Sequence, residues 1–163
     1  IQYILIWNLL AEIPNDERAS AMIEHLKDPA VFGSDNPFPN VSMDSKCFKE
    51  KVEGTCGAVF PFNVYMVVKG LEKYNEYVFA RECCIRHLYY ILDTLHPDDN
   101  KKGDVWEAYL PTQEGTPSGG GISGFPAKRF LPQVCIVTIT LMIEDIIGLD
   151  VSLIMGLLNY LLL

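Results

Sequence analysis

The sequence predicts an all-α chain of αα-hairpins with long loops gathered at one end. Three observations carry this expectation. Apolar residues recur at three- and four-residue spacing in several separate stretches, the periodicity of a helix with one buried face. Short polar turns join neighbouring helical stretches, whereas two long segments, 30–57 and 97–132, are broken by Gly and Pro. No alternating strand pattern of any length competes with the helical one.

In chain order, Ile1 to Ile13 reads as a helix that is apolar almost all round and is stopped by Pro14. Asn15 or Asp16 then caps a second helix, with Glu17 in the first turn where the helix dipole favours negative charge. Ala19, Met22, Ile23 and Leu26 give it a buried face, and Asp28-Pro29 ends it. The tight Pro-Asn-Asp turn makes these two helices a first αα-hairpin. Segment 30–57 is a mostly polar loop of a length that usually carries function. A helix follows from about Phe60 to Tyr74, with Val64, Val67, Val68 and Leu71 on one face. After a break at Tyr74-Asn75, a longer helix from Glu76 to about Leu95 completes a second hairpin, closed by His96-Pro97-Asp98. The second long loop contains Trp106-Glu107-Ala108-Tyr109 and the pliant Ser118-Gly119-Gly120-Gly121. An apolar helix from Val134 to Ile147, capped by Gly148, comes last, and the apolar tail beyond it reads as further buried helix.

Composition removes several classes of function. The chain has 163 residues, 49% hydrophobic and 21% charged, which is enough to bury a core. A net charge of −8 argues against nucleic acid, whose binders displace phosphate counterions with Lys and Arg, and against anionic membranes. Glu144, Asp145 and Asp150 interrupt the apolar end of the chain. A membrane span needs about 20 apolar residues, and a charge at its centre costs about 3 kcal/mol. Ile1 to Leu10 lacks the basic flank and cleavage site of a signal peptide. Apolar at both termini, the chain reads as a single partial domain, 1–163, with uncovered helix faces through which it would self-associate.

Five cysteines include no C-x-x-C, and the adjacent Cys83-Cys84 reads as buried packing. His25, His87 and His96 show no ligand spacing, so no metal is expected. A reducing, cytoplasmic setting fits the cysteine usage. Asn40-Val41-Ser42 spells a glycosylation sequon, though nothing else in the sequence points to secretion. Gly119-Gly120-Gly121 lacks the Lys-Ser/Thr of a phosphate loop. Ser118 and Ser123 lack a nucleophile elbow. A neutral ligand such as a sugar, or a protein partner, remains compatible.

Val105-Trp106-Glu107-Ala108-Tyr109-Leu110-Pro111 is the most informative stretch. Aromatic faces stack on the C–H face of a pyranose, and a carboxylate between them can move protons or steady an incipient oxocarbenium ion. The same pattern also suits an exposed Glu beside a Trp that plugs the core, and spacing alone leaves both readings open.

The segment resembles the W-E-N-Y-x-P motif of the clan of inverting glycosidases that includes trehalases, processing α-glucosidases and mannosylglycerate hydrolases. Three further segments are similar to that clan, in the same order and with the same spacing. Residues 28–32 with 37–44 resemble its D-P-x-x-F…P-x-P loop, residues 57–65 its R-G-P-V-W-P-x-x-N-Y helix start, and residues 142–149 its closing L-I-E-x-I-L-G-I helix. The resemblance covers roughly residues 1 to 150. It implies an (α/α) six-hairpin toroid, of which this chain would be the C-terminal part, and hydrolysis of an α-linked glycoside with inversion, without cofactor. It gives Glu107 the role of general base, while Phe60, Asn63, Trp106 and Tyr109 would shape the sugar subsite.

Departures from the family pattern qualify that reading. Thr55-Cys56 stands where the family has Trp-Arg, which would remove a charge-assisted hydrogen bond to substrate. Phe60 replaces Trp, Ala108 replaces Asn, and the family's G-W-S-G-L is not recognisable in residues 124–130. Inverting hydrolysis also needs a general acid about 6.5–9.5 Å from the base. The family carries it in an upstream hairpin that this chain does not contain. Asp44 and Asp104 read as loop and turn formers rather than substitutes. The isolated chain is therefore expected to be inactive, and a degenerate, non-catalytic module that binds carbohydrate or protein is the alternative.

Overall fold

The computed structural model describes residues 7–49, 56–95, 105–112, 132–152 and 157–160. Several sequence expectations therefore lie outside the described residues. These are Ile1 to Ile6 of the first helix, Thr55, Asp104, the Ser118–Gly121 stretch, residues 124–130 and the last three leucines.

The described chain is mostly helical, as the periodicity predicts. Helix α1 (Trp7–Leu10) ends in a Schellman motif. Ile13 N–H reaches the Asn8 carbonyl at 3.1 Å, Glu12 N–H reaches Leu9 at 3.0 Å, and Glu12 takes the left-handed conformation with φ 52°. Pro14 follows the stop rather than causing it. Helix α2 (Asp16–Lys27) starts on Asn15, whose side chain accepts from Arg18 N–H at 3.1 Å, so Asn15 and not Asp16 is the cap. Its buried residues are Ala19, Ile23 and Leu26.

Helix α3 (Pro61–Lys73) begins with Pro at its first position, where the missing N–H costs nothing. It ends as α1 does: Glu76 N–H meets the Leu71 carbonyl, Asn75 N–H meets Glu72, and Asn75 has φ 63°. Helix α4 (Tyr77–Leu95) then returns along α3 as a packed hairpin. The two Schellman turns meet, because Tyr74 donates its hydroxyl to the Pro14 carbonyl at 2.7 Å. The described loop residues meet elsewhere, at the N-terminal end of α3 and the middle of α4.

The first expected hairpin is modified. Helix α1 packs chiefly on α3 rather than on α2, and Gly70 makes the contact possible. A Cβ there would sit 2.9 Å from Leu10 N and 3.0 Å from Leu9 Cβ. Gly70→Ala gains about 0.5–1 kcal/mol in helix propensity. Overpacking against α1 backbone costs about 1–3 kcal/mol, so urea unfolding is expected to show a net loss.

Helix α5 (Pro132–Leu141) lies against α3 and buries Val134, Thr138 and Leu141. It continues as a π-helical turn, Met142–Ile146, which packs on α4 and whose last bond runs from Ile147 N–H to the Met142 carbonyl at 3.0 Å. Gly148, at φ 78°, ends it where the sequence places the cap.

The tail beyond departs from expectation. Instead of continuing as helix, Leu149–Ser152 (β1) and Leu157–Tyr160 (β2) pair antiparallel, with Leu149 opposite Tyr160. Short apolar runs do not distinguish strand from helix by periodicity, and a left-handed glycine had already turned the chain.

Among the described residues the main core joins Leu9, Val64, Val68 and Leu71 to Cys84, Ile91 and Leu141. Tyr109 and Phe32 enter it from the loops. Both Cys83 and Cys84 are fully buried, and burial pushes their thiols up, to about 11 and about 12. They are packing residues, not nucleophiles.

Candidate functional site

Three loop segments distant in sequence meet around the start of α3. The first is 31–42, which carries its own strain: Phe38 adopts φ 65° while its N–H bonds the Phe32 carbonyl at 2.9 Å. The Phe38 ring is buried edge-on to Phe79 of α4, which supplies a packing gain against that strain. The second is 57–60 and the third is 105–111. Val59 and Tyr109 exchange both backbone hydrogen bonds at 2.9 Å, a one-residue antiparallel bridge that holds the second and third together. Asn40 N–H donates to the Ala58 carbonyl at 2.9 Å and ties in the first.

A buried polar clamp completes the junction. Asn36 donates its backbone N–H to the Pro111 carbonyl at 2.9 Å and its side-chain amide to the Leu110 carbonyl at 3.0 Å. That orientation leaves Asn36 Oδ1 as an acceptor 2.7 Å from His87 Nδ1, so His87 carries its proton on Nδ1. His87 is fully buried, and burial pushes its pKa down to about 3. Its other nitrogen, Nε2, is buried without a partner, a further penalty against charging the ring. Arg86 donates to the Ser34 carbonyl at 3.2 Å, and Ser34 donates to that of Asn36 at 2.7 Å.

Glu107 is buried, at 9% exposure, between a half-buried Trp106 and a fully buried Ala108. Ala108 and Trp106 pack on Phe60, with Ala58 and Phe62 alongside. Phe62 in turn touches Phe60 at a 5.9 Å ring separation and Trp7 at 6.3 Å. Asn63, buried in the first turn of α3, donates to Asn40 Oδ1 at 2.8 Å and keeps a buried, unpartnered Oδ1. The fold thus gathers Phe60, Asn63, Trp106, Glu107 and Tyr109 at one end of α3.

Burial gives these residues unequal roles. Tyr109 is at 0% exposure: its ring stands edge-on to His87 at 6.1 Å, and its hydroxyl accepts from Trp106 N–H at 3.0 Å. Phe60, at 1%, is likewise enclosed. Both shape the loop from beneath, while Trp106 and Phe62 retain exposed surface. Asp44 is exposed in a turn. Asn40 is 2% exposed and its Oδ1 accepts from Asn63, so the asparagine of the sequon is a buried packing residue in the folded chain.

Sequence reasoning missed the clamp. Its signal was present: His87 falls on the buried stripe of α4 with Cys83, Cys84 and Ile91, where an uncharged imidazole needs a partner. Among the described residues, no group of three His, Cys, Asp or Glu side chains is arranged to hold a metal ion. No described helix is long and apolar enough to cross a membrane.

No protein-family profile matches the chain. Over 146 residues, 89% of its length, the chain is 43% identical to an uncharacterized protein of Borreliella burgdorferi. It spans 31% of that relative, so most of the relative lies outside the shared stretch.

Proposed function

We propose that this chain is the base-bearing part of a glycoside hydrolase of the inverting six-hairpin type, acting on an α-linked glycoside. The observation that carries this reading is convergence. Segments matching the clan's pattern at 28–44, 57–65 and 105–111 are distant in sequence, yet they are hydrogen-bonded into one junction that encloses a carboxylate. A glutamate held at 9% exposure next to Trp106 is an arrangement in which a base can be aimed at one water.

On this reading Glu107 removes a proton from the water that attacks the anomeric carbon. A carboxylic acid on another part of the protein protonates the leaving oxygen from the opposite face. Trp106 offers the stacking surface. Tyr109 and Phe60 act indirectly, by fixing the loop that carries Glu107. Small-molecule carbohydrate is the substrate, and no cofactor takes part. The isolated chain is inactive because the acid is absent from it. Apolar side chains left exposed on α4 and α5, among them Tyr89, Leu92, Ile136 and Ile139, are where the chain would associate with itself or with further helices of a longer protein.

A second reading, a non-catalytic carbohydrate- or protein-binding module, is favoured by the enclosure of Phe60 and Tyr109. It also draws on the replacement of the family's Trp-Arg by Thr55-Cys56. One experiment separates the two. A longer protein carrying this chain is assayed against α-linked di- and oligosaccharides, with and without Glu107→Gln. Turnover abolished by the substitution, with sugar binding retained, supports the hydrolase. Absence of turnover in both forms leaves the binding module. Turnover by the isolated 163-residue chain would contradict the assignment of the acid to another part of the protein.

A further inference from the structure

Away from this junction, Lys69 of α3 sits at the centre of a group of three carboxylates. Its Nζ lies 3.2 Å from Glu72 Oε2, 2.9 Å from Glu144 Oε2 and 3.0 Å from Asp145 Oδ1. Glu144 and Asp145 are consecutive residues of the π-helical turn, and both reach one ammonium across the gap to α3. Asp145 is 3% exposed, and its second oxygen, Oδ2, is buried with no donor. One ammonium serves three carboxylates, and of these Asp145 alone is shut off from water, where an ionised group is costly to hold. Of the other groups facing Asp145, Tyr65 of α3 and the Cys84 thiol of α4 are neutral and compensate nothing. Arg81 of α4, which donates to the Ile146 carbonyl at 3.2 Å, remains a cation beside the turn.

We propose that Asp145 and Glu72 share a proton beside Lys69, and that losing this proton loosens the π-helical turn from α3. A proton on Asp145 turns its donorless oxygen into a hydroxyl, with the Glu72 carboxylate as acceptor. Without it the carboxylates repel, and the strain falls on the irregular turn. That turn also supplies Met142 and Ile146 to an apolar groove of about 280 Å³, completed by Ile85, Leu88, Tyr89 and Leu92 of α4. Release of the turn therefore widens an apolar surface as pH rises. The electrostatics point the same way. Burial, then the hydrogen bond with Glu72, push Asp145 up to about 7, against the lowering influence of Lys69. Burial alone would lower Lys69, but the carboxylates led by Asp145 outweigh it and hold the lysine well above its ordinary value.

The sign follows from the raised folded-state pKa. The folded chain holds the proton more tightly than the unfolded one. The stability this confers is complete below about pH 4 and is lost as pH rises through about 7.

Amide hydrogen exchange of residues 142–147, corrected for intrinsic rates, tests the device between pH 5.5 and 8. Protection of the wild-type turn is expected to fall by about tenfold or more over that range, the equilibrium change that one pKa unit represents. Asp145→Asn should flatten the profile and exceed wild type in stability at pH 8. Glu72→Gln, whose amide can donate to ionised Asp145, should move the fall to lower pH. Identical profiles in wild type and both variants would overturn the proposal, as would a turn whose protection does not change with pH.

Discussion

Tyr109→Ala is expected to cost about 3–5 kcal/mol, the range for deleting a large buried aromatic side chain. Tyr109 is among the largest fully buried side chains, and it is supplied by a loop rather than a helix. Its ring fills core between the junction and His87, its backbone makes the bridge to Val59, and its hydroxyl fixes Trp106, the residue next to Glu107 in the chain. Removing the ring opens a cavity and detaches the Glu107 loop together. Tyr109→Phe keeps the ring and loses the hydrogen bonding of the hydroxyl, including the bond from Trp106 N–H, at about 1 kcal/mol per bond. Urea unfolding measures both values. Emission from Trp106, read in a Trp7→Phe background because the chain has two tryptophans, reports the loop. The alanine variant should shift that emission to the red, and the phenylalanine variant should leave it nearly unchanged. An alanine variant within about 1 kcal/mol of wild type would mean that the loop does not anchor through this ring.

How far the sequence disclosed this structure depends on the kind of signal each element carried. Helices α2, α3 and α4 were legible because their apolar positions recur at helical spacing and their ends carry local stop chemistry: Asn15 as cap, Pro61 at a first turn, Asn75 in a left-handed stop. The convergence of 28–44, 57–65 and 105–111 was legible only through resemblance. Nothing in local periodicity says that Asn36 will reach Leu110, or Val59 pair with Tyr109, because these contacts join residues tens of positions apart. Exposure was not legible at all. Phe60 and Tyr109 read as sugar-facing aromatics from their motif, yet they are enclosed, since a motif gives residue types but not the side of the loop each will face. The tail was misread for a simpler reason: an apolar run following Gly148 satisfies a buried helix and a strand equally, and the β1–β2 pairing is decided across the chain rather than within it.

The clamp that holds the Glu107 loop should also be the acid-sensitive point of the fold. His87 is neutral when folded, pushed down to about 3 by burial, and takes a proton at about 6.5 when unfolded. The unfolded chain therefore binds more protons throughout that window. Stability from this residue is complete above about pH 6.5 and is lost as pH falls toward 3, with an upper bound of about 5 kcal/mol at about 1.4 kcal/mol per unit. Against a typical domain stability of about 5–15 kcal/mol this is a decisive share. Protonation has no acceptor for the new N–H at Nε2, so the expected first event is separation of Asn36 from α4, which frees Leu110 and Pro111 and with them the loop that carries Glu107. Asp145 acts with the opposite sign between about pH 4 and 7, so the wild-type profile is flatter than either group alone would make it. Denaturant unfolding from pH 7.5 to 4.5 in Asp145→Asn exposes the histidine limb, and stability should fall steeply with acid. Adding His87→Gln, which lowers stability at neutral pH but cannot take up the proton, should remove that fall. If the double variant loses stability with acid as steeply as Asp145→Asn, the acid sensitivity resides elsewhere and the buried imidazole is only a packing residue.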